Sequence, residues 1–250
     1  MTGTFKDYFS DASRSCREFR PDYPEELFRR LAGISPRRCA ALDCGCGTGQ
    51  ASSGLALYFQ KVSAVDPSAS QITNALPDPK VTYLSVPAEK TGFDNESFDL
   101  IIAAQSLHWF DLESFYPEAR RLASDRAVFA AISYGLLSVD AETDKVLGML
   151  YRVVLGPYWP EERRHVDDGY RSLPFPFTGI PVPVFQMQAQ WSLDHFLGYL
   201  ATWSAVREMK SRTGSDALRM MDAELRQAWG VSGAIRTVSW PLHLRVGIVE

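Results

Sequence analysis

The sequence predicts an α/β protein built on a doubly wound, mostly parallel sheet. Three observations carry that expectation. Short, fully apolar runs alternate with helix starts through the first half of the chain, as strands covered on both faces require. The first of these runs ends in an acid and passes through glycines at alternate positions into a helix. The C-terminal tail instead alternates apolar and polar residues, the pattern of a strand with one wet face.

The elements follow in order. Pro24 to Leu31 reads as a helix, opened by proline and two acids. Ala40 to Asp43 is the first strand, leading through Gly45 into a helix over Gly49 to Phe59. Val62 to Val65 is the second; it ends at Asp66-Pro67, with Ser68 placed to cap the next helix. Val81 to Leu84 is the third. Phe98 to Ala104 is the fourth, apolar throughout apart from Asp99, and Ala127 to Ser133 the fifth. The character then changes. Six of the fifteen prolines fall between 156 and 183, among Tyr158, Trp159, Tyr170, Phe175 and Phe177. So many aromatics predict a structured, proline-punctuated crossover rather than a linker. Beyond it, Phe185 to Trp191 reads as a half-exposed strand, Ser192 to Lys210 as one amphipathic helix, and Ser215 to Trp229 as another. In the tail, Val238 to Ile248, Pro241 implies that the strand starts there or carries a bulge. The chain is expected to be one domain over 1–250. Residues 1–35 would form a helical segment over the site, and 136–184 a helical, proline-rich cap-like insertion after the fifth strand.

Composition narrows the function. The 250 residues carry a formal net charge of −4, and the first forty hold eight basic against six acidic residues. That is too little basic surplus for a phosphate-binding surface, so no nucleic-acid partner is expected. No apolar run is long enough to span a bilayer, and Met1 to Ser10 has no apolar core of the kind a secretory leader needs. No membrane partner and a cytoplasmic location are therefore expected. Cys44-Gly45-Cys46 lacks a zinc spacing and a nearby histidine, so no metal is expected.

The chemistry lies in Ala41 to Gly49. A strand ends at Asp43, and Gly45, Gly47 and Gly49 turn the chain into a helix whose first N–H groups are unpaired. A dinucleotide site would want its third glycine at position 50, which is Gln50, and no Gly-Lys-Ser/Thr follows for a P-loop. Asp66 arrives 23 residues after Asp43, near the distance at which an acid accepts from ribose hydroxyls. A glycine turn and a ribose acid without a pyrophosphate signature point to an adenosyl ligand.

Residues 40 to 110 resemble the cofactor half of class I S-adenosylmethionine-dependent methyltransferases, in the broad group called type 11. The likeness rests on Leu42-Asp43-x-Gly45-x-Gly47-Thr48-Gly49, Val65-Asp66-Pro67-Ser68, Pro87-Ala88-Glu89 before a helix, and Phe98-Asp99-Leu100-Ile101. It implies S-adenosyl-L-methionine as cofactor. Asp43, Gly45, Gly47 and Gly49 would hold the methionine moiety, Asp66 and Pro67 the ribose side, and Ala88 and Glu89 the adenine. Gln105, at the end of the fourth strand, would face the sulfonium. Phe19-Arg20-Pro21-x-Tyr23-Pro24, Leu107-His108-Trp109-Phe110, Gly169-Tyr170-Arg171-x-x-Pro174-Phe175-Pro176-Phe177 and Thr202-Trp203-Ser204 are similar to methyltransferases related to trans-aconitate methyltransferase. That narrower likeness implies a Rossmann-like sheet of seven strands with the last one antiparallel.

The expected activity is methyl transfer to a small-molecule acceptor, a carboxylic acid or a hydroxyl. His108 follows the fourth strand and is the candidate general base; orienting its loop while Trp109 and Phe110 pack is the other reading. Arg20, Arg171 and Arg207 accompany the aromatic motifs, and a guanidinium fork suits a carboxylate. Tyr23, Trp109, Tyr170 and Trp203 complete the candidate acceptor residues. For Trp203 and Tyr170 the alternative is core packing; for Tyr23 it is a hydrophobic staple on the following helix. A non-catalytic adenosylmethionine-binding module and an RNA methyltransferase are the competing functions. The fourth strand exits into Ala104-Gln105-Ser106-Leu107, unlike the Asn/Asp-Pro-Pro-aromatic sites of DNA amino-methylation.

Overall fold

A computed structural model describes residues 18–231 and 233–250. Helix α1 (Glu25–Ile34) follows an extended Pro24 and carries Glu25 and Glu26 in its first turn, where the helix dipole favours acids. Leu27, Phe28, Leu31 and Ala32 form its buried face. Strand β1 (Ala40–Cys44) leads into α2 (Gln50–Ala56), and β2 (Lys61–Val65) into α3 (Ala69–Thr73), whose first turn is capped by the Ser68 hydroxyl accepting from Gln71 N–H. Then come β3 (Val81–Leu84), β4 (Phe98–Ala104), α4 (Leu112–Leu122) and β5 (Ala123–Tyr134).

The crossover expected over 136–184 contains α5 (Ala141–Met149), a π-helical continuation (Leu150–Val154), α6 (Arg163–Asp167) and the two-residue strand β6 (Thr178–Gly179). The chain ends with β7 (Gln186–Trp191), α7 (Leu193–Ala201), α8 (Ser204–Thr213), α9 (Ala217–Met220), α10 (Asp222–Trp229) and β8 (Arg236–Ile248).

The strands run in the order β3-β2-β1-β4-β5-β8-β6, with β7 added against β8. The pairs among β1 to β5 are parallel, and β8 is antiparallel to β5, β6 and β7. This is the doubly wound, mostly parallel sheet that the sequence predicts, with eight strands in place of seven. Apolar clusters cover both faces. Leu27, Phe28, Leu55, Phe59 and Ile102 belong to one; Phe98, Phe115, Tyr116, Phe129 and Phe177 to the other. Among the described residues no helix is long and apolar enough to cross a membrane.

Four local expectations are corrected. The helix over Ser192–Lys210 breaks at Thr202-Trp203, where the Thr202 hydroxyl donates to the Tyr199 carbonyl and Trp203 turns extended to join an aromatic cluster. Such back-bonding competes with the helix ladder without disturbing the apolar period. The helix over Ser215–Trp229 also divides, at Met221, whose backbone leaves the helical region (φ −104°, ψ 9°). Strand β8 runs straight through Pro241, because that residue sits where the strand changes partner: Gln186 of β7 faces Pro241, and Tyr134 of β5 faces Leu242. Glu89 sits in a turn and no helix follows it before β4.

Asp99, the acid inside an otherwise apolar strand, is 2% exposed and ties three elements together. Its carboxylate accepts from Cys39 N–H (2.9 Å), Ala40 N–H (3.3 Å), Ser124 Oγ (2.9 Å) and Arg37 Nε (3.1 Å). Burial pushes its carboxyl pKa up, but these donors pull it further down, below the usual carboxylate value. Its stabilisation is therefore present above the ordinary carboxylate range and lost as pH falls. Asp99→Ala strands buried donors at the head of β1, and denaturant unfolding should show a loss of about 2–4 kcal/mol at neutral pH. The wild-type advantage should shrink in acid. A loss below about 0.5 kcal/mol, the level of an ordinary surface change, would contradict this role.

Candidate active site

At the C-terminal ends of β1, β2 and β4 the sheet opens into a cavity of about 530 Å³. This is the crevice where ligands of open α/β sheets bind. Asp43 stands at its floor, fully buried. One carboxylate oxygen, Oδ2, accepts from Ser52 Oγ at 2.6 Å; Oδ1 is buried with no partner among the described residues. Burial pushes the Asp43 carboxyl up to about 7, against the Ser52 bond that lowers it.

The chain then bends through Gly45, Gly47 and Gly49, all at positive φ. Gly45 and Cys46 donate their N–H groups to the Val65 carbonyl at 2.8 and 3.0 Å, stitching the bend to β2. A side chain at Gly45 would place its Cβ 2.5 Å from Ser106 Cβ, so both the conformation and the space demand glycine. Asp66 closes the bend from the other side, accepting from Gly47 N–H at 3.0 Å and Ser68 N–H at 2.9 Å.

Asp43, Gly45, Gly47, Asp66, Pro67, Ala88, Glu89 and Gln105 all line this cavity, with Arg20, Tyr23 and Trp109 across from them. Gly49 does not; it precedes α2 in the left-handed conformation, with Tyr83 packed where a Cβ would lie. Glu89 accepts from the Asp111 N–H at 3.0 Å. Tyr23 meets Phe28 edge-on at 6.1 Å. It therefore staples α1 as well as facing the cavity.

A smaller chamber of about 70 Å³ adjoins the cavity, and Arg20, Gln105, Trp109 and Tyr134 line both. Gln105 holds the junction. At φ 55° its side-chain amide clasps the Tyr134 backbone, donating to the carbonyl at 3.1 Å and accepting from the N–H at 3.2 Å. His108, Trp159, Arg163, Tyr199 and Trp203 form the chamber's walls. His108 Nδ1 lies 2.9 Å from Tyr170 Oη. Burial, then the Arg163 charge, then His165 drive its pKa down to about 3, so the ring is neutral at physiological pH.

Besides Gly49, three residues singled out from the sequence line neither cavity. Tyr170 is fully buried behind His108 in the left-handed region (φ 63°), Arg171 is exposed and donates to the Asp168 carbonyl, and Arg207 lies on α8 outside both. Sequence reasoning missed Ser52, Tyr134, Trp159 and Arg163. None of these sits in a motif, and Arg163 looks like one more solvated charge in the proline-rich stretch. Among the described residues no cluster of His, Cys, Asp or Glu is grouped to hold a metal ion.

A glycine bend between two acids at the end of a parallel sheet defines an adenosyl-binding α/β enzyme, and the known proteins most like this chain agree. The family model described as "Methyltransferase domain" matches residues 42–131. A Dictyostelium discoideum protein named as a methyltransferase is 32% identical over 247 residues, covering 96% of this chain and 94% of that protein. A solved structure from Anaeromyxobacter dehalogenans, described as a type II methyltransferase, is 51% identical with a TM-score of 0.86, covering 92% of this chain and 98% of that one. Over 120 residues the chain is also 29% identical to a Saccharomyces cerevisiae protein named as an S-adenosylmethionine-dependent methyltransferase, covering 44% of this chain and 41% of the other. The chain belongs to the class I S-adenosylmethionine-dependent methyltransferases. The residues present fit that cofactor on this structure's own terms, because Asp43 Oδ1 is a buried acceptor to which no described residue brings a cation or donor.

Two outcomes follow. Burial pushes the Asp43 carboxyl up to about 7, so it is largely protonated at pH 6; an ammonium against it favours the ionised form, and S-adenosylhomocysteine should therefore expel a proton there. Its calorimetric binding enthalpy should then differ between phosphate and Bis-Tris at pH 6, and agree at pH 8.5 or in Asp43→Asn. Equal enthalpies at pH 6 would refute the assignment. Asp66→Ala should weaken the same binding by roughly 1–3 kcal/mol through lost hydrogen bonds; an unchanged affinity would remove Asp66 from the site.

Proposed function

We propose that this methyltransferase acts on a small-molecule acceptor, a carboxylic acid or a hydroxyl compound, seated in the smaller chamber. The supporting observation is the junction at Gln105 and Trp109, which line both spaces at the end of β4. Asp43 would take the cofactor's amino group, the bend at Gly45 and Gly47 would pass beside its methionine part, and Asp66 with Pro67 would hold the ribose. Ala88 and Glu89 would flank the base. Bound there, the cofactor supplies a methyl group on a sulfonium. Arg20, Tyr23 and Trp109 close the cavity from the acceptor side and restrict water, while Trp203 shapes the far wall.

Positioning supplies most of such a displacement, and a carboxylate acceptor needs no proton removed. With a carboxylate acceptor the methyl group would pass from a sulfonium to an anion, so these residues would have to position the anion and not remove a proton. His108 fits this economy: a neutral ring near pKa 3, with Nδ1 held against Tyr170, is a wall and hydrogen-bond partner more than a proton acceptor. These groups favour the carboxylic acid over the hydroxyl, in line with the likeness to relatives of trans-aconitate methyltransferase.

Incubation with methyl-labelled cofactor and a small-molecule extract tests the reading. Label should enter a product that releases methanol in mild alkali, as methyl esters do. Label stable to alkali would move the reading to a hydroxyl or amine acceptor, and no transfer at all would defeat it. His108→Gln should keep turnover within about tenfold of wild type, whereas removal of a true general base costs about 10²–10⁴-fold.

A further inference from the structure

Arg163 is built into the smaller chamber in an unusual way. Its Nε donates to Tyr151 Oη at 2.7 Å and to Asp167 Oδ1 at 3.2 Å, while the Tyr151 hydroxyl itself donates to Asp167 at 2.7 Å. The guanidinium carbon lies 5.0 Å from the Trp159 ring centroid and 5.4 Å from that of Tyr151. Trp159 is fixed in turn by donating Nε1 to the Tyr151 carbonyl at 3.0 Å. The back edge of the fork and its flat faces are therefore occupied. Its two terminal nitrogens, Nη1 and Nη2, have no hydrogen-bond partner among the described residues, on a side chain only 21% exposed that lines the chamber.

Asp167 meets only Nε, so the ion pair leaves the outer edge of the fork uncommitted. The chamber's other lining groups do not neutralise the charge. Among the described residues that line the chamber, Arg20 is a second arginine and none is a carboxylate. Asp167 meets the charge through Nε, and neither terminal nitrogen is sealed from the chamber, so that edge is open to a ligand.

We propose that Arg163 is the specificity-determining residue of the acceptor site, its Nη1–Nη2 edge anchoring a carboxylate of the methyl acceptor against the Trp159 and Trp203 wall. The anchor rests on the reading of the smaller chamber as the acceptor site. It holds whether the anchored carboxylate is the one methylated or a second one on the same molecule. Tyr151 and Asp167 are positioning residues, aiming the fork.

The test uses the full-length protein saturated with S-adenosylhomocysteine and three matched pairs: butyrate and butyramide, glutarate and glutaramide, benzoate and benzamide. Tryptophan fluorescence, with Trp159 and Trp203 in the chamber, reads the binding. At least one acid should bind saturably and its amide should not. Arg163→Gln should weaken that acid at least about tenfold while leaving S-adenosylhomocysteine affinity unchanged. Arg163→Lys, which keeps the charge and loses the planar fork, should fall between them, and it decides the matter should Arg163→Gln fail to fold. Amides binding as well as acids, no acid binding, or wild-type acid affinity in either variant would overturn the anchor. Methyl transfer to an extract acceptor with unchanged KM in Arg163→Gln would remove the anchor and leave the methyltransferase reading standing.

Discussion

A carboxylate that is only half satisfied organises this molecule's working end. Asp43 closes the central strand of a parallel sheet, takes a hydrogen bond from the Ser52 hydroxyl, and keeps its second oxygen buried and unmet by any described residue. Such a group costs the folded protein stability unless something arrives to complete it. The bend after it is held rigidly to the neighbouring strand through Val65 and Asp66, so the acceptor atom waits in a fixed place. Preorganisation of this kind shifts the cost of assembling a binding site from ligand binding to folding. The buried ties of Asp99, at the opposite end of β4, help to meet it by locking the head of β1 to the sheet.

The smaller chamber repeats the logic with the opposite sign. There the incomplete group is a guanidinium, held by Tyr151, Asp167 and Trp159, beside a histidine kept neutral by burial and by that same cation. The two incomplete charges stand on either side of Gln105, whose amide clasp joins the ends of β4 and β5. On the proposed reading the acid takes the cofactor's ammonium and the outer edge of the arginine takes an anion, which sets methyl donor and acceptor on opposite sides of Gln105.

What could be read from the sequence divides along the line between local and tertiary causes. The five parallel strands, the Ser68 cap and the glycine bend are set by short-range rules, and they stand close to where the residues place them. Asp43 and Asp66 could be named because each ends an apolar strand. The breaks at Thr202 and Met221 leave the helical period intact, so periodicity alone could not find them. The course of β8 through Pro241 depends on a change of partner strand. Arg163 is the sharpest case: nothing near it in sequence sets it apart, and its role comes from Tyr151 and Trp159 folding around it. Arg171 is the converse, an arginine beside a motif that ends up serving a surface loop.

A crystal structure of the protein with S-adenosylhomocysteine bound puts the central claim most directly at risk. The ligand's amino nitrogen should lie within hydrogen-bonding distance of Asp43 Oδ1, with its sulfur pointing through the gap between Gln105 and Trp109 toward Arg163. An amino group elsewhere, with Asp43 Oδ1 still unpartnered, would contradict the account.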